Sequence, residues 1–235
     1  MQPVSLSIVL PCYNPVAGWA DNVVDSFNRI KQQIPNCELI LVNDGSPNID
    51  TNLLQSIGSK TSDLTVLSYN INQGKGYALR HGVSAARGEL IIYTDIDFPY
   101  THHSFLKIYE SLTGQQADVA MGIRGEAYYT HLPQARVRIS KLLRWFIKTF
   151  LRIPTDDTQC GLKGFNQKGK AVFLETTINR YLFDMEFIFI AARKKLNIKT
   201  VEVELRPEVE LSTMNSKILI QEFGNFLKIF VKSLF

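Results

Sequence analysis

Cysteine is scarce in this chain. Its three cysteines, Cys12, Cys37 and Cys160, lie far apart and form no C-x-x-C pair. An odd number of widely spaced cysteines indicates neither a disulfide framework nor a zinc site. We therefore expect a protein of a reducing compartment.

Long apolar runs and a strong net charge are also absent. No stretch reaches the roughly 18 uninterrupted apolar residues that a membrane-spanning helix needs. The opening residues, MQPVSLSIVLPCYN, have no basic segment of the kind that begins a secretory signal. A net charge of +4 is too small to indicate a nucleic-acid partner. These absences predict a cytoplasmic protein without signal peptide or transmembrane helix, bound to a membrane at most through its surface.

The chain has enough apolar residues for one sizeable core, since 45% of its 235 residues are hydrophobic. In the first half, short apolar runs alternate with stretches of helical periodicity in the order βαβαβαβ. This pattern predicts an α/β domain with a mostly parallel sheet and strands over 6–10, 39–42, 63–69, 89–93 and 118–121. Ligands of such sheets bind beyond the carboxyl ends of the strands.

Two carboxylates, Asp95 and Asp97, follow the fourth predicted strand in the sequence Y-T-D-I-D. Carboxylate oxygens are ligands that Mg²⁺ and Mn²⁺ prefer, and an ion held by few protein groups keeps positions free for substrate phosphates. A lone D-x-D is common in solvated turns, so its meaning depends on the neighbouring segments. Here it predicts a Mg²⁺ or Mn²⁺ site for a diphosphate substrate.

Two other strand ends carry candidate residues. Asp44 in N-D-G-S-P can accept a hydrogen bond from a nucleotide base, although a turn and helix cap is the plainer interpretation. Lys75 lies between two glycines in N-Q-G-K-G-Y-A-L-R, just before a predicted helix, which suits an anion. A solvated lysine in a glycine-bounded loop fits this segment equally well.

Four segments resemble, in order, the signatures of the family 2 glycosyltransferases: S-I-V-L-P-C-Y-N, L-V-N-D-G-S-P, N-x-G-K-G-Y-A-L-R and G-E-L-I-I-Y-T-D-I-D. The later blocks D-V-A-M-G-I-R, D-T-Q-C-G-L-K-G-F and F-D-M-E are similar to the dolichol-phosphate glucosyl- and mannosyltransferase branch of that family. The resemblance covers roughly residues 5–207. It implies a single glycosyltransferase-A (Rossmann-like) catalytic domain, which we place at residues 1–215.

The resemblance also implies roles for individual residues. The expected donor-binding residues are Pro11, Tyr13, Asn14, Asp44, Lys75 and Asp95. Asp95 and Asp97 would hold the divalent ion that bridges the diphosphate. The expected ligands of an acceptor phosphate are Arg124, Arg136 and Ser140, with Arg138 as a competing candidate. Asp157 would lie near the sugar, or cap a turn after Pro154; with it, the candidate catalytic residues are Asp95, Asp97, Arg124 and Asp157.

Two segments have the pattern of basic amphipathic helices. Residues 127–155 contain no Asp or Glu but six cations, which alternate with apolar residues at helical spacing. Residues 216–235 form a second such pattern, rich in Phe. A basic helix face in water is the more common case, but two such faces together favour peripheral contact with the inner, anionic face of a membrane.

These features favour an inverting glycosyltransferase that moves a hexose from a UDP- or GDP-sugar to a polyprenyl phosphate of the dolichyl or undecaprenyl type. A phosphate monoester, whose second pKa is about 6, is already largely a dianion at neutral pH and needs no general base. One alternative is a glycosyltransferase with a saccharide hydroxyl acceptor and Asp157 or Asp184 as base. The other is a non-catalytic module that binds a nucleotide sugar at the membrane surface, which Pro15 and Pro99, two departures from the family pattern, would favour.

Overall fold

The structure is a computed structural model that describes residues 4–47, 49, 51–61, 63–114, 117–125, 157–207, 209, 224, 225 and 229. The predicted amphipathic helix of residues 127–155 lies outside the described residues. Of the C-terminal segment 216–235 only three positions are described, and one of them, Ile229, is buried in the core. None of the helices in the described ranges has the length and hydropathy that crossing a membrane requires.

The described chain forms one central sheet of seven strands. The strands are β1 (Leu6–Cys12), β2 (Cys37–Asp44), β3 (Leu64–Tyr69), β4 (Leu90–Tyr93), β5 (Val119–Arg124), β6 (Lys163–Phe165) and β7 (Ile198–Val203). Their order across the sheet is β3-β2-β1-β4-β6-β5-β7. The short β6 runs antiparallel to both neighbours, whereas every other pair is parallel. The predicted mostly parallel sheet and its five predicted strands are confirmed.

Helices cover both faces of this sheet. They are α1 (Trp19–Gln33), α2 (Thr51–Lys60), α3 (Lys75–Ala85), α4 (His102–Thr113), α5 (Gln167–Leu174) and α6 (Phe183–Arg193). Side chains of successive strand residues point to opposite faces, so each strand contributes to two core layers. Val9, Ile91 and Tyr93 pack with α3, α5 and α6, whereas Ile8 and Ile92 pack with α1 and α4. The result is a three-layer α/β/α domain whose loops meet at the carboxyl ends of the parallel strands.

Candidate active site

A cleft of about 670 Å³ lies at the carboxyl ends of the strands. This volume is typical of small-molecule sites, which range from about 300 to 1,000 Å³. The sequence-predicted residues that line it are Pro11, Tyr13, Asn14, Asp44, Lys75, Asp95, Asp97 and Arg124. Pro15 and Pro99 line it as well. Arg136 and Ser140 lie outside the described residues, so their expected contact with an acceptor phosphate stays a prediction.

The D-x-D acids lie where the buried strand β4 ends and the chain turns. The N–H of Phe98, a residue with a φ of 46°, donates a hydrogen bond to the carbonyl of Asp95 at 3.0 Å and closes this turn. The ammonium group of Lys75 forms an ion pair with the Asp95 carboxylate. Burial, and next the charge of Asp95, raise the pKa of the Asp97 carboxyl. Two carboxylates that repel each other are a favourable place for a cation, which stabilises both charges.

The donor set therefore fits a divalent ion that takes two protein ligands and completes its shell from substrate and water. Within the described ranges, no group of three or more His, Cys, Asp or Glu side chains is placed to hold a metal. A site that depends on two carboxylates would leave most coordination positions to phosphate oxygens. This is the arrangement that the sequence predicts for Asp95 and Asp97.

The backbone of Asp97 is held from two directions by residues that sequence reasoning missed. The Nη2 group of Arg206 donates to the Asp97 carbonyl at 2.6 Å, and the side-chain amide of Asn22 donates to the same oxygen. Arg206 Nη1 also donates to Asn22 Oδ1 at 2.8 Å. Neither residue belongs to a recognisable motif. Only the fold brings α1 and the segment after β7 to the D-x-D turn.

Asp44 organises the loop that carries Lys75. Its carboxylate accepts hydrogen bonds from Asn72 Nδ2 at 2.8 Å, from the N–H of Gln73 at 2.7 Å and from the N–H of Gly74 at 3.0 Å. Gly74 has a φ of 100°, and a Cβ there would lie 2.5 Å from the carbonyl oxygen of Asn179, so only glycine fits. Asp44 also lines the cleft, and its expected contact with a nucleotide base stays a prediction.

The N-terminus of α3 is not the free anion site that the glycine-bounded loop suggested. The carbonyl of Asn179 accepts hydrogen bonds from the N–H groups of Gly76 at 2.7 Å and Tyr77 at 3.3 Å. These two donors are therefore unavailable to a phosphate, so the predicted binding of an anion by this loop would depend on the Lys75 cation. Burial alone would lower the pKa of Lys75, but the carboxylates of Asp95 and Asp184 outweigh it and raise the pKa.

The other candidate acids, Asp157 and Asp184, and the nearby Glu186 are buried and engaged with cations or backbone groups. Asp157 lies against Arg124, with Oδ1 2.6 Å from Arg124 Nη2. Asp184 forms an ion pair with the buried Lys163 at 2.8 Å. Glu186 accepts hydrogen bonds from the backbone N–H groups of Thr177 and Ile178, both at 2.8 Å. None of these three acids is among the residues that line the described cleft.

Known proteins share both the sequence pattern and the fold. Residues 7–174 match Glycosyl transferase family 2. A dolichyl-phosphate beta-glucosyltransferase of Trichomonas vaginalis is 26% identical over 97% of this chain and 73% of its own length. The Saccharomyces cerevisiae and Mus musculus proteins of the same name are 25% and 29% identical over 91% and 84% of this chain. The chain spans 70% and 66% of the lengths of those two relatives.

Solved structures with the same fold belong to other members of the glycosyltransferase-A class. Mannosyl-3-phosphoglycerate synthase from Rubrobacter xylanophilus superposes with a TM-score of 0.65 at 17% identity, over 93% of this chain and 70% of that one. Glucosyl-3-phosphoglycerate synthase from Mycobacterium tuberculosis, crystallised with Mn²⁺, UDP and glucosyl-3-phosphoglycerate, gives a TM-score of 0.60 at 18% identity, over 98% and 78%. At these identities the likeness concerns the fold. The match over residues 7–174 settles the family, and the chain belongs to Glycosyl transferase family 2.

Proposed function

We propose that the protein is an inverting, metal-dependent hexosyltransferase that uses a UDP- or GDP-sugar as donor and a polyprenyl phosphate as acceptor. The observation that carries this proposal is the cleft that unites Asp95, Asp97, Lys75 and Arg124 at the strand ends. Membership of family 2 supports glycosyl transfer, and the dolichyl-phosphate beta-glucosyltransferases among the relatives support glucose and a lipid phosphate.

The donor would bind at the ends of β1, β2 and β4. Pro11, Tyr13 and Asn14 would contact the nucleoside, with Asp44 close to the base. Asp95 and Asp97 would hold Mg²⁺ or Mn²⁺, which when bound stabilises negative charge on the departing nucleoside diphosphate. That a protein of the same fold was crystallised with Mn²⁺ and UDP supports this assignment.

A phosphate acceptor fits the described acids better than a hydroxyl acceptor does. A sugar hydroxyl needs a base, but Asp157 is engaged by Arg124 and Asp184 by Lys163, and neither lines the described cleft. A phosphate oxygen is already anionic and can attack the anomeric carbon directly, as the bond from that carbon to the diphosphate breaks and the configuration inverts. Arg124, with Arg136 and Ser140, would bind this phosphate.

We further propose a catalytic domain at residues 1–215 and peripheral contact with the inner membrane face through residues 127–155 and 216–235. The basic and apolar composition of both segments supports this contact. The acceptor would then reach the cleft from the lipid surface with its phosphate first.

Transfer assays with matched acceptors test the proposal. UDP-glucose and GDP-mannose would each be offered with dolichyl phosphate, undecaprenyl phosphate, the corresponding free polyprenols and a soluble saccharide. We expect product from a phosphate acceptor only, and none after chelation of divalent ions. Transfer to the saccharide alone would establish the hydroxyl-acceptor alternative. Nucleotide binding without product under any divalent ion would establish the non-catalytic one.

A variant pair tests the role of the D-x-D acids. Asp97→Ala should abolish metal-dependent transfer, whereas Asp21→Ala, which removes an exposed acid outside the cleft, should leave transfer unchanged. Undiminished turnover in Asp97→Ala would remove the metal role. Thermal-shift measurements with UDP, GDP and Mn²⁺ would identify the donor nucleotide, because a ligand that binds only the folded form raises the melting temperature.

A further inference from the structure

Three cationic side chains line the described part of the cleft, and they differ in their partners. Lys75 forms an ion pair with Asp95, and Arg124 forms one with Asp157. Arg180 is exposed in the cleft wall, and its side chain has no hydrogen bond or ion pair with any residue that the structure describes. Of these three cations, Arg180 is therefore the one that forms no ion pair with a described carboxylate.

The loop of residues 176–181 holds the backbone of Arg180 in a fixed position. From the side of α6, Glu186 accepts hydrogen bonds from the N–H groups of Thr177 and Ile178. From the side of α3, Arg80 Nη1 donates to the carbonyl of Ile178 at 2.8 Å. The carbonyl of Asn179 accepts from the first turn of α3. The loop that carries Arg180 is therefore hydrogen-bonded to two helices, α3 and α6, whereas the Arg180 side chain itself forms no hydrogen bond with a described residue.

The stem of Arg180 lies beside the lysine loop. A Cβ placed on Gly74 would lie 3.2 Å from Arg180 Cγ, so the stem packs against the residue that precedes Lys75. Lys75 in turn contacts Asp95 of the D-x-D turn. The stem of Arg180 therefore lies on the lysine-loop side of the cleft, beside the residue that precedes the ion-pair partner of Asp95, whereas Arg124 is the last residue of β5.

We propose that Arg180 binds the diphosphate of the nucleotide sugar, next to Lys75. A guanidinium matches phosphate oxygens with two parallel N–H donors, and an exposed, uncompensated arginine loses no native partner when it turns to the ligand. The inference rests on the proposed function, since it requires a nucleoside diphosphate donor. It adds a specific contact that no motif in the sequence signals: Arg180 stands in the polar loop before F-D-M-E.

Binding measurements on the full chain test this contact. Calorimetric titrations with Mn²⁺ would compare wild type with Arg180→Gln, using UDP, GDP, uridine and guanosine as ligands. We expect Arg180→Gln to weaken binding of the nucleoside diphosphate by about 10- to 100-fold, the usual effect of a charged hydrogen-bond partner. Binding of the nucleoside alone should not change. Arg180→Lys should give an intermediate loss, because it keeps the charge without the planar fork.

Two controls separate this contact from general effects. Lys199→Gln removes one exposed charge from β7, outside the cleft, and should leave nucleotide affinity unchanged. The melting temperature of Arg180→Gln should equal that of wild type, because glutamine keeps the Cγ that packs at Gly74 and the guanidinium has no hydrogen-bond or ion-pair partner to lose among the described residues.

Equal nucleotide affinity in wild type and Arg180→Gln would overturn the inference and leave the proposed function standing. A loss confined to the KM for the polyprenyl phosphate would also overturn it, because Arg180 would then serve the acceptor. A wild type that binds neither nucleoside diphosphate would overturn the proposed function itself, and this inference with it.

Discussion

Arg124 and Asp157 bind each other at three points. The backbone N–H of Arg124 donates to Asp157 Oδ2 at 2.8 Å, its Nε donates to the same oxygen at 2.9 Å, and its Nη2 donates to Oδ1 at 2.6 Å. The Asp157 side chain is only 4% exposed, whereas Arg124 lines the cleft. Both were expected to be catalytic residues, and that remains a prediction. The geometry adds that Asp157 sets the orientation of the Arg124 side chain at the cleft.

Asp157→Asn should destabilise the fold and weaken the acceptor contact together. It removes the Asp157 charge from beside a largely buried guanidinium, at a cost on the order of 3 kcal/mol in the free energy of unfolding. The KM for polyprenyl phosphate should rise, because Arg124 loses its orientation. Urea unfolding and steady-state kinetics measure the two effects. A lower kcat with an unchanged KM and unchanged stability would instead indicate that Asp157 acts on the sugar directly.

The stabilising effect of this pair should also depend on pH with a definite sign. Burial raises the pKa of the Asp157 carboxyl, but hydrogen bonds and charge from Arg124 outweigh it and lower the pKa below its ordinary 3.8. A carboxyl whose pKa is lower in the folded than in the unfolded protein stabilises the fold fully when the pH is above its unfolded-state pKa. This stabilisation is lost as the pH falls through its folded-state pKa. The stability difference between wild type and Asp157→Asn should therefore be constant near neutral pH and shrink below pH 3.8. A difference that changes most near neutral pH would contradict this assignment.

Gly161→Ala should impair the D-x-D site without unfolding the protein. A Cβ at this position would lie 2.6 Å from Asp95 Oδ2 and 3.7 Å from Lys75 Nζ, so the Asp95 carboxylate must shift from its present position. We expect weaker Mn²⁺-dependent nucleotide binding, measured by calorimetry. Gly58→Ala is the matched control, since a Cβ there would meet only Leu64 at 3.8 Å. It should stabilise α2 by up to about 1 kcal/mol and leave binding unchanged. Equal binding in both variants would show that the position of Asp95 is not critical.

The sequence predicts strands β1 to β5 and the residues at their carboxyl ends because each depends on local information. Apolar runs such as Leu90–Tyr93 identify buried strands, and acids or glycines directly after them identify the turns of the cleft. It does not predict β6, because the three residues K-G-F are too few for a recognisable pattern. In addition, β6 is antiparallel to its neighbour β4 and is far from it in sequence. Arg180 and Arg206 were missed for a related reason. Arg180 lies near Gly74 and Arg206 donates to the Asp97 carbonyl, and both partners are remote in sequence.

Asp184→Asn should act on stability rather than on chemistry. The Asp184 carboxylate forms an ion pair with Lys163 at 2.8 Å and accepts a hydrogen bond from the Tyr93 hydroxyl. Lys163 is fully buried, so loss of its counter-charge should cost about 3–5 kcal/mol. Urea unfolding measures this loss. Adding Lys163→Met should recover part of it, because the isolated charge is then removed as well. If the Asp184→Asn protein is as stable as wild type but has no turnover, the result would instead support the alternative in which Asp184 is the base for a hydroxyl acceptor.

Arg206→Met should weaken the metal site from outside the cleft. It removes one of two donors to the Asp97 carbonyl and the hydrogen bond to Asn22, so the D-x-D turn loses its support from the segment after β7. Loss of an outer partner of a metal ligand typically reduces metal affinity by about 10- to 100-fold. We expect the Mn²⁺ concentration for half-maximal nucleotide binding to rise within this range, whereas Lys199→Met should leave it unchanged. Asn22→Ala should shift it in the same direction, because its amide donates to the same oxygen. The contrary result is that Asp97→Ala abolishes the Mn²⁺ dependence while Arg206→Met and Asn22→Ala leave it at the wild-type value. The hydrogen bonds from Arg206 and Asn22 to the Asp97 carbonyl would then only stabilise the fold, without positioning Asp97 as a metal ligand.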